Sequence, residues 1–301
     1  MNQARTQMPV ISLEGVRKSR GAFVLGPVDL SIEPGYVVAV VGYNGSGKST
    51  LFGLLMNLLQ PDSGEIELFG GRYPEDEVGI KRRIGYSPQR PTGRDDMNAY
   101  ALEKFVSRWY PGWDGRIYQD LLGRLEVDSS KTFGKLSEGG RRRLSFALAM
   151  ATSPELLLLD EPTTGVDAST RREMLDDLWY FVHDDAREGA RRTAVFSTHI
   201  IEEAGHIADY IVLLSQGEFL GFYEKDALFE NWKTLWVEGE PEGSVAGVVE
   251  VDSLARLISN SPRETAEALR AQDVRVVRSR SLDLEEILSH LVNLSSERQT
   301  V

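Results

Sequence analysis

The sequence predicts an α/β fold with a mainly parallel core sheet, an antiparallel β-layer, a helical subdomain and a small C-terminal α+β extension. Three observations carry that reading. A glycine-rich loop, Gly42-Tyr43-Asn44-Gly45-Ser46-Gly47-Lys48-Ser49-Thr50, sits between a β-branched run and an apolar run. Apolar strand-like segments then alternate with helical patterns as far as Leu214. Past a charged, Gly- and Pro-containing connection from Glu238 to Ser244, the tail has a strand-helix-strand-helix pattern of its own.

The elements follow in chain order. Val10 to Leu13, Phe23 to Leu25 and Val28 to Ile32 are short alternating runs broken by Gly21, Gly26 and Pro34-Gly35, the pattern of antiparallel strands joined by turns. Tyr36 to Val41 is a buried strand and Leu51 to Leu59 a buried helix. Pro61-Asp62-Ser63-Gly64 is a turn, Glu65 to Gly71 a strand ending in glycines, and Ile84 to Ser87 a short extended run. From Ala99 to Thr132 apolar residues such as Leu102, Phe105, Leu121, Leu122 and Leu125 recur at helical spacing, which places a helical subdomain at about residues 90–135. Leu144 to Met150 reads as helix, Leu156 to Leu159 as strand, Thr170 to Val182 as helix, and Thr193 to Ser197 and Tyr210 to Leu214 as strands. That alternation implies a sheet covered on both faces. The expected domains are 8–230, which carries every motif, and 237–301, a small regulatory or dimer-bracing α+β module. In the tail, Gly247 to Val251 and Val274 to Arg278 are strands, and Pro262 to Ala271 and Leu284 to Leu294 helices. Ser261-Pro262-Arg263-Glu264 has the form of a capping box.

Composition narrows the function. There are 46 acidic against 34 basic residues, a formal net charge of −12 with no long basic stripe, which counts against a nucleic-acid partner. The absence of cysteine excludes disulfides and thiol chemistry and is consistent with a reducing compartment, with cytosol as the default. Met1 to Thr6 lacks the apolar core of a signal peptide, and no apolar run approaches the ~20 residues of a membrane span.

The glycine loop fits Gly-x-x-x-x-Gly-Lys-Ser in the strand-loop-helix order that makes it a phosphate cradle. Its backbone N–H groups and the following helix N-terminus favour an anion. Lys48 is placed to reach the β- and γ-phosphates, and the Ser49 hydroxyl to ligate Mg²⁺. Downstream, Leu156 to Leu159 runs into Asp160-Glu161, two carboxylates at a strand end. The first can support a metal, and the second can orient or deprotonate a water. His199 follows a strand on the same predicted sheet edge. Leu136-Ser137-Glu138-Gly139-Gly140 opens a helix with a hydroxyl and free N–H groups, a second anion-binding end.

With these segments in order, the sequence resembles the nucleotide-binding subunit of ABC transporters. The carriers are Gly42–Thr50 (Walker A), Gln89 (Q-loop), Leu136–Gly140 (signature), Leu156–Glu161 (Walker B), Thr164–Asp167 (D-loop) and His199 (H-loop). The resemblance, covering about residues 8–225, implies a P-loop ATPase that uses ATP and Mg²⁺ and dimerises head-to-tail. Ser137 and Gly139 of one subunit would close on ATP in the other's cradle, with Asp167 in the D-loop. Lys48, Glu161 and His199 would be catalytic, and Ser49, Gln89 and Asp160 would hold the metal. It further implies a separate transmembrane permease, export, a homodimer or heterodimer, and a cytoplasmic location on the inner face of the membrane. Two departures stand out. Glu138 replaces the first signature glycine, and the position of the adenine-stacking aromatic falls at Arg20, with Phe23 as the alternative. Trp109-Tyr110-Pro111-Gly112-Trp113-Asp114 resembles a helical-subdomain segment of ATP-binding subunits in antibiotic-response exporters, or else simply supplies core aromatics. The rival reading is a soluble, non-transport ABC ATPase, an assembly scaffold or repair clamp.

Overall fold

A computed structural model describes residues 8–184, 191–253 and 255–298. The chain divides into two compact units, one ending at Phe222 and the other beginning at Tyr223. The expected boundary at 230–237 therefore falls inside the second unit. Met1 to Thr6 lies outside the described residues.

The first unit begins with β1 (Ile11–Arg20) and β2 (Phe23–Ile32), antiparallel in register from Ile11↔Ile32 to Arg20↔Phe23. The next strand, β3 (Val37–Val41), is buried at every position because both faces are covered, as its unbroken β-branched character requires. The glycine loop follows, and then α1 (Lys48–Leu55). That helix starts earlier and stops earlier than the run to Leu59 suggested. Asn57 takes a left-handed conformation (φ 54°), its side chain reaches Glu77 Oε1 at 3.3 Å, and Leu58 is left exposed. Asparagine tolerates this helix-ending geometry and leucine does not.

Strands β4 (Ser63–Leu68) and β5 (Gly71–Arg72) complete an antiparallel sheet in the order β2-β1-β4-β5. Helix α2 (Glu77–Arg82) leads to β6 (Ile84–Ser87). The helical subdomain contains α3 (Ala99–Val106), capped by Asn98, and α4 (Gly115–Arg124), capped by Asp114, and α5 (Glu138–Ala151) follows it. The subdomain's aromatics divide: the half-buried Trp113 packs at 5.4 Å on the fully buried Tyr118, whereas Trp109 is 64% exposed and is not core.

Next come β7 (Leu156–Asp160), α6 (Ala168–His183), β8 (Thr193–Thr198), α7 (Ile201–Ile207), β9 (Tyr210–Ser215) and β10 (Glu218–Glu224). The core sheet has the order β10-β9-β3-β8-β7-β6, and β9, β3, β8, β7 and β6 run parallel.

The second unit holds α8 (Lys225–Asn231), β11 (Lys233–Glu238), β12 (Val248–Ser253), β13 (Arg256–Ser259), α9 (Pro262–Arg270), β14 (Arg275–Ser281) and α10 (Leu284–Arg298). Its sheet is four-stranded, β12-β13-β11-β14, where two strands were expected. Leu284, Ile287 and Leu288 of α10 are buried, which makes that face core. The expected capping box does not form: Ser261 makes no side-chain cap bond. Instead the turn into α9 is tied by Thr265, whose buried hydroxyl bonds Ala246 O and Ser259 Oγ, both at 2.8 Å.

Candidate active site

Three adjacent parallel strands end together, and the chain leaves each of them at a residue of chemical interest. The register sets Val41 beside Thr198 and Ser197 beside Asp160, so Gly42, His199 and Glu161 emerge from neighbouring strand ends. One strand further on, Ser87 pairs with Leu159, and Gln89 lies two residues past it. Ligands of open parallel sheets bind at this edge.

The loop after β3 is shaped by close approach. Gly47 is the N-cap of α1 at φ 111°, and a Cβ there would meet Leu25 Cδ1 at 2.9 Å and Phe23 Cζ at 3.1 Å. Lys48 follows and turns back over the loop. Its buried ammonium donates to Gly42 O at 2.7 Å and Tyr43 O at 3.3 Å, and lies 3.4 Å from Glu161 Oε1. A cation held beneath a ring of N–H groups is a seat for a polyphosphate.

The two carboxylates at the end of β7 are organised by one serine. Ser197 Oγ donates to Asp160 Oδ1 at 2.6 Å and accepts the Glu161 N–H at 2.9 Å. Glu161 itself sits at φ 48°, in the left-handed region that non-glycine residues rarely occupy. Its Oε2 accepts from Thr164 Oγ1 at 3.2 Å and lies 3.4 Å from His199 Nδ1. The environments separate the two acids. Burial pushes the Asp160 carboxyl up, and the hydrogen bonds from Ser197 and Ser49 only partly oppose it. Burial also pushes Glu161 up, but Lys48, His199 and the Gln89 hydrogen bond together outweigh it and hold that carboxyl below its ordinary value.

These side chains surround a cleft of about 770 Å³, lined by Arg20, Phe23, the loop from Asn44 to Thr50, Gln89, Glu161, Thr164 and His199. Gly42 and Tyr43 support it through the carbonyls that hold Lys48, and Asp160 is buried behind it. Arg20 and Phe23 pair across β1 and β2 at its mouth. Phe23 is half-buried and packs against the core, whereas Arg20 is exposed.

Ser137, Gly139 and Asp167 do not line this cleft. Ser137 caps α5, accepting from Gly140 N at 3.1 Å, and Asp167 caps α6, accepting from Thr170 N at 3.0 Å. A Cβ on Gly139 would meet Gly165 O at 2.9 Å, so the two caps belong to one surface built by close backbone approach.

The donor set suits a magnesium ion. Ser49 Oγ and Gln89 Oε1 lie 3.4 Å apart, and Asp160 is within hydrogen-bonding reach of Ser49. All three are hard oxygen donors. Among the described residues no cluster of three or more His, Cys, Asp or Glu forms a metal cage. Few protein ligands, with phosphate and water completing the shell, is the pattern magnesium prefers.

Sequence reasoning did not single out Ser197 or Glu203, and it named Thr164 only as the first residue of the D-loop, not as a partner of Glu161. Glu203 of α7 is 3% exposed and accepts from Thr163 Oγ1 at 2.7 Å and Thr198 Oγ1 at 2.6 Å, tying the turn after Glu161 to the residue before His199. A signal was available for Glu203 alone: a carboxylate one helical turn after His199, on the helix face that also buries Ala204 and Ile207.

Comparison with known proteins agrees with this geometry. The family model described as "ABC transporter" matches residues 25–164. ABC transporter ATP-binding protein YtrB of Bacillus subtilis is 33% identical over 70% of each chain. Daunorubicin resistance ATP-binding protein DrrA3 of Streptomyces coeruleorubidus is 30% identical over 92% of this chain and 90% of its own. Among solved structures, a dimeric post-hydrolysis state of an ATP-binding cassette bound to ADP and Pi superposes with a TM-score of 0.62 at 25% identity, covering 71% of this chain and 98% of that one. The phosphate cradle, the paired carboxylates at one sheet edge and a similarity that extends over nine-tenths of one relative place this chain in the ABC transporter ATP-binding family, as an ATPase of the P-loop class.

Proposed function

We propose that the chain is the ATP-hydrolysing subunit of an exporter, dimerising head-to-tail on Mg-ATP and driving a separate membrane-spanning permease. The observation that carries this is the convergence of Lys48, Gln89, Glu161 and His199 at adjacent ends of one parallel sheet. Lys48 and the loop N–H groups hold the phosphates. Ser49, Gln89 and Asp160 would hold magnesium, which would supply charge neutralisation to the phosphates. Glu161, ionised and fixed by Thr164 and its own backbone, takes the proton of the attacking water. His199 reaches the γ-phosphate from the neighbouring strand end. Ser137, Gly139 and Asp167 form the surface that meets the partner's nucleotide, which explains why they cap helices away from the cleft.

Transport is supported by the relatives, one of which is named for daunorubicin resistance. Among the described residues no helix is long and apolar enough to cross a membrane. A second cleft, about 320 Å³ and bordered by Glu77, Val78, Lys81, Arg82, Trp109 and Tyr110, offers the permease an apolar seat with a charged rim in which Lys81 pairs with Glu77.

The test is Glu161→Gln. Removing the base lowers hydrolysis by ~10²–10⁴-fold. ATP affinity is retained, and a dimer accumulates with Mg-ATP in sedimentation velocity. Turnover at the parent rate refutes the role given to Glu161. A dimer that never associates with membranes containing a polytopic partner favours the soluble, non-transport alternative.

A further inference from the structure

Glu138 puts a carboxylate between Ser137 and Gly139, on the surface that the proposed head-to-tail dimer presses against the partner's γ-phosphate. That side chain is 74% exposed and opens helix α5. Four residues later, on the same helical face, Arg142 is almost fully buried, with its side chain 6% exposed. Its two terminal nitrogens point in different directions. Nη2 donates to Glu138 Oε1 at 2.9 Å, and Nη1 donates to the backbone carbonyl of Glu161, also at 2.9 Å. Arg142 Nε has no partner among the described residues, and Glu138 is the one carboxylate there that pairs with the guanidinium. A buried guanidinium needs such an anion, because an unpaired charge out of water is costly.

We propose that Arg142 is a positioning residue serving both nucleotide sites of the dimer: it neutralises Glu138 where that carboxylate faces the partner's nucleotide, and it holds the backbone of this subunit's own Glu161. The geometry explains how a carboxylate is tolerated beside an anionic ligand. Fork geometry lets one guanidinium do both jobs, which a lysine point charge cannot. Closing of the Ser137–Gly139 surface on one nucleotide is thereby linked, through a single side chain, to the hydrolytic carboxylate of the other site. The inference rests on the head-to-tail dimer proposed above.

The experiment measures the dimer dissociation constant with Mg-ATP in the Glu161→Gln background by sedimentation, with the ATP affinity and thermal midpoint of each variant as controls. Arg142→Gln leaves Glu138 uncompensated and weakens the dimer at least tenfold. Glu138→Gln with Arg142→Gln restores it to within threefold of the parent, and Arg142→Lys, which keeps the charge, stays within threefold. With Glu161 intact, Arg142→Lys lowers kcat at least fivefold at unchanged KM, because the bond to the Glu161 carbonyl is lost. A merely structural arginine predicts no rescue by Glu138→Gln. Dimerisation of Arg142→Gln at the parent constant, or a loss that the double variant does not repair, overturns the proposal. Should Arg142→Gln not fold, the exposed Glu138→Gln change carries the test: it tightens the dimer at least threefold, and an unchanged constant overturns the proposal. If the Glu161→Gln protein itself stays monomeric with Mg-ATP, the head-to-tail reading fails and takes this inference with it, an outcome distinct from failure of the charge pair alone.

Discussion

Asp160 and Glu161 are neighbours in sequence and opposites in electrostatics, because their surroundings differ. Asp160 is buried behind the cleft, and burial raises its carboxyl above the ordinary range. Glu161 faces Lys48 and His199, which together with Gln89 overcome its burial and lower it. The linkage signs therefore differ. The lowered Glu161 contributes stability that is present above the ordinary carboxylate pKa and lost as pH falls through its folded value. The raised Asp160 contributes stability that is complete below the ordinary carboxylate pKa and lost as pH rises through its folded value. It follows that Asp160→Asn, which cannot ionise and keeps an acceptor for Ser197, melts higher than the nucleotide-free parent at neutral pH. The gain corresponds to ~2–4 °C for each kcal/mol relieved in a unit of this size. The difference should close below about pH 4, where both carboxyls are protonated in the unfolded chain. Differential scanning calorimetry from pH 3 to 8 checks this, and a variant less stable than the parent at pH 7 contradicts it. The same variant should lose hydrolysis, so stability and activity move in opposite directions at this residue.

At the scale of elements, the site exists because three strands end in register, and the junctions between strand and loop carry the tightest packing. Gly42, the residue after β3, is such a junction within the site: a Cβ there would lie 2.3 Å from Leu214 O and 2.5 Å from Ser46 Oγ. The first contact is with backbone, which cannot swing away, so Gly42→Ala must displace β9 or the loop. Overpacking of this kind costs ~1–3 kcal/mol, and urea denaturation should report it together with weakened ATP binding. Much of this level was legible in the sequence, since the glycine loop, the Leu156–Glu161 strand and the strand before His199 each announce themselves by residue type. What was not legible is cross-chain. Nothing in the local pattern marks Ser197 as the partner of Asp160 or Arg142 as the link between Glu138 and Glu161, because those bonds span 37 and 19 residues. Helix ends were misjudged for a local reason, the left-handed Asn57 that stops α1.

For the whole molecule, the division into two units bears on what each can do alone. The tail sheet was read with two strands where four exist. Lys233–Glu238 and Arg256–Ser259 lack the alternation of polar and apolar residues that marks a strand with one wet face, since both pack substantially on each side. All cleft-lining residues lie between Arg20 and His199, within the first unit, and the core sheet closes with β10 at Glu224. The tail meanwhile buries its own apolar residues, Leu257, Leu269 and Val274 among them, in a separate cluster. We therefore expect truncation after Glu224 to leave a folded protein that binds ATP within about threefold of the full chain. This cut is preferable to one after Glu230, which would strand α8 without the sheet of its own unit. Circular dichroism establishes folding and calorimetric titration the affinity. A tail that braces the dimer predicts that the truncated Glu161→Gln protein forms its Mg-ATP dimer only at higher protein concentration than the full chain does. A truncated protein that folds yet fails to bind ATP would assign part of the nucleotide site to the tail and refute this division of labour.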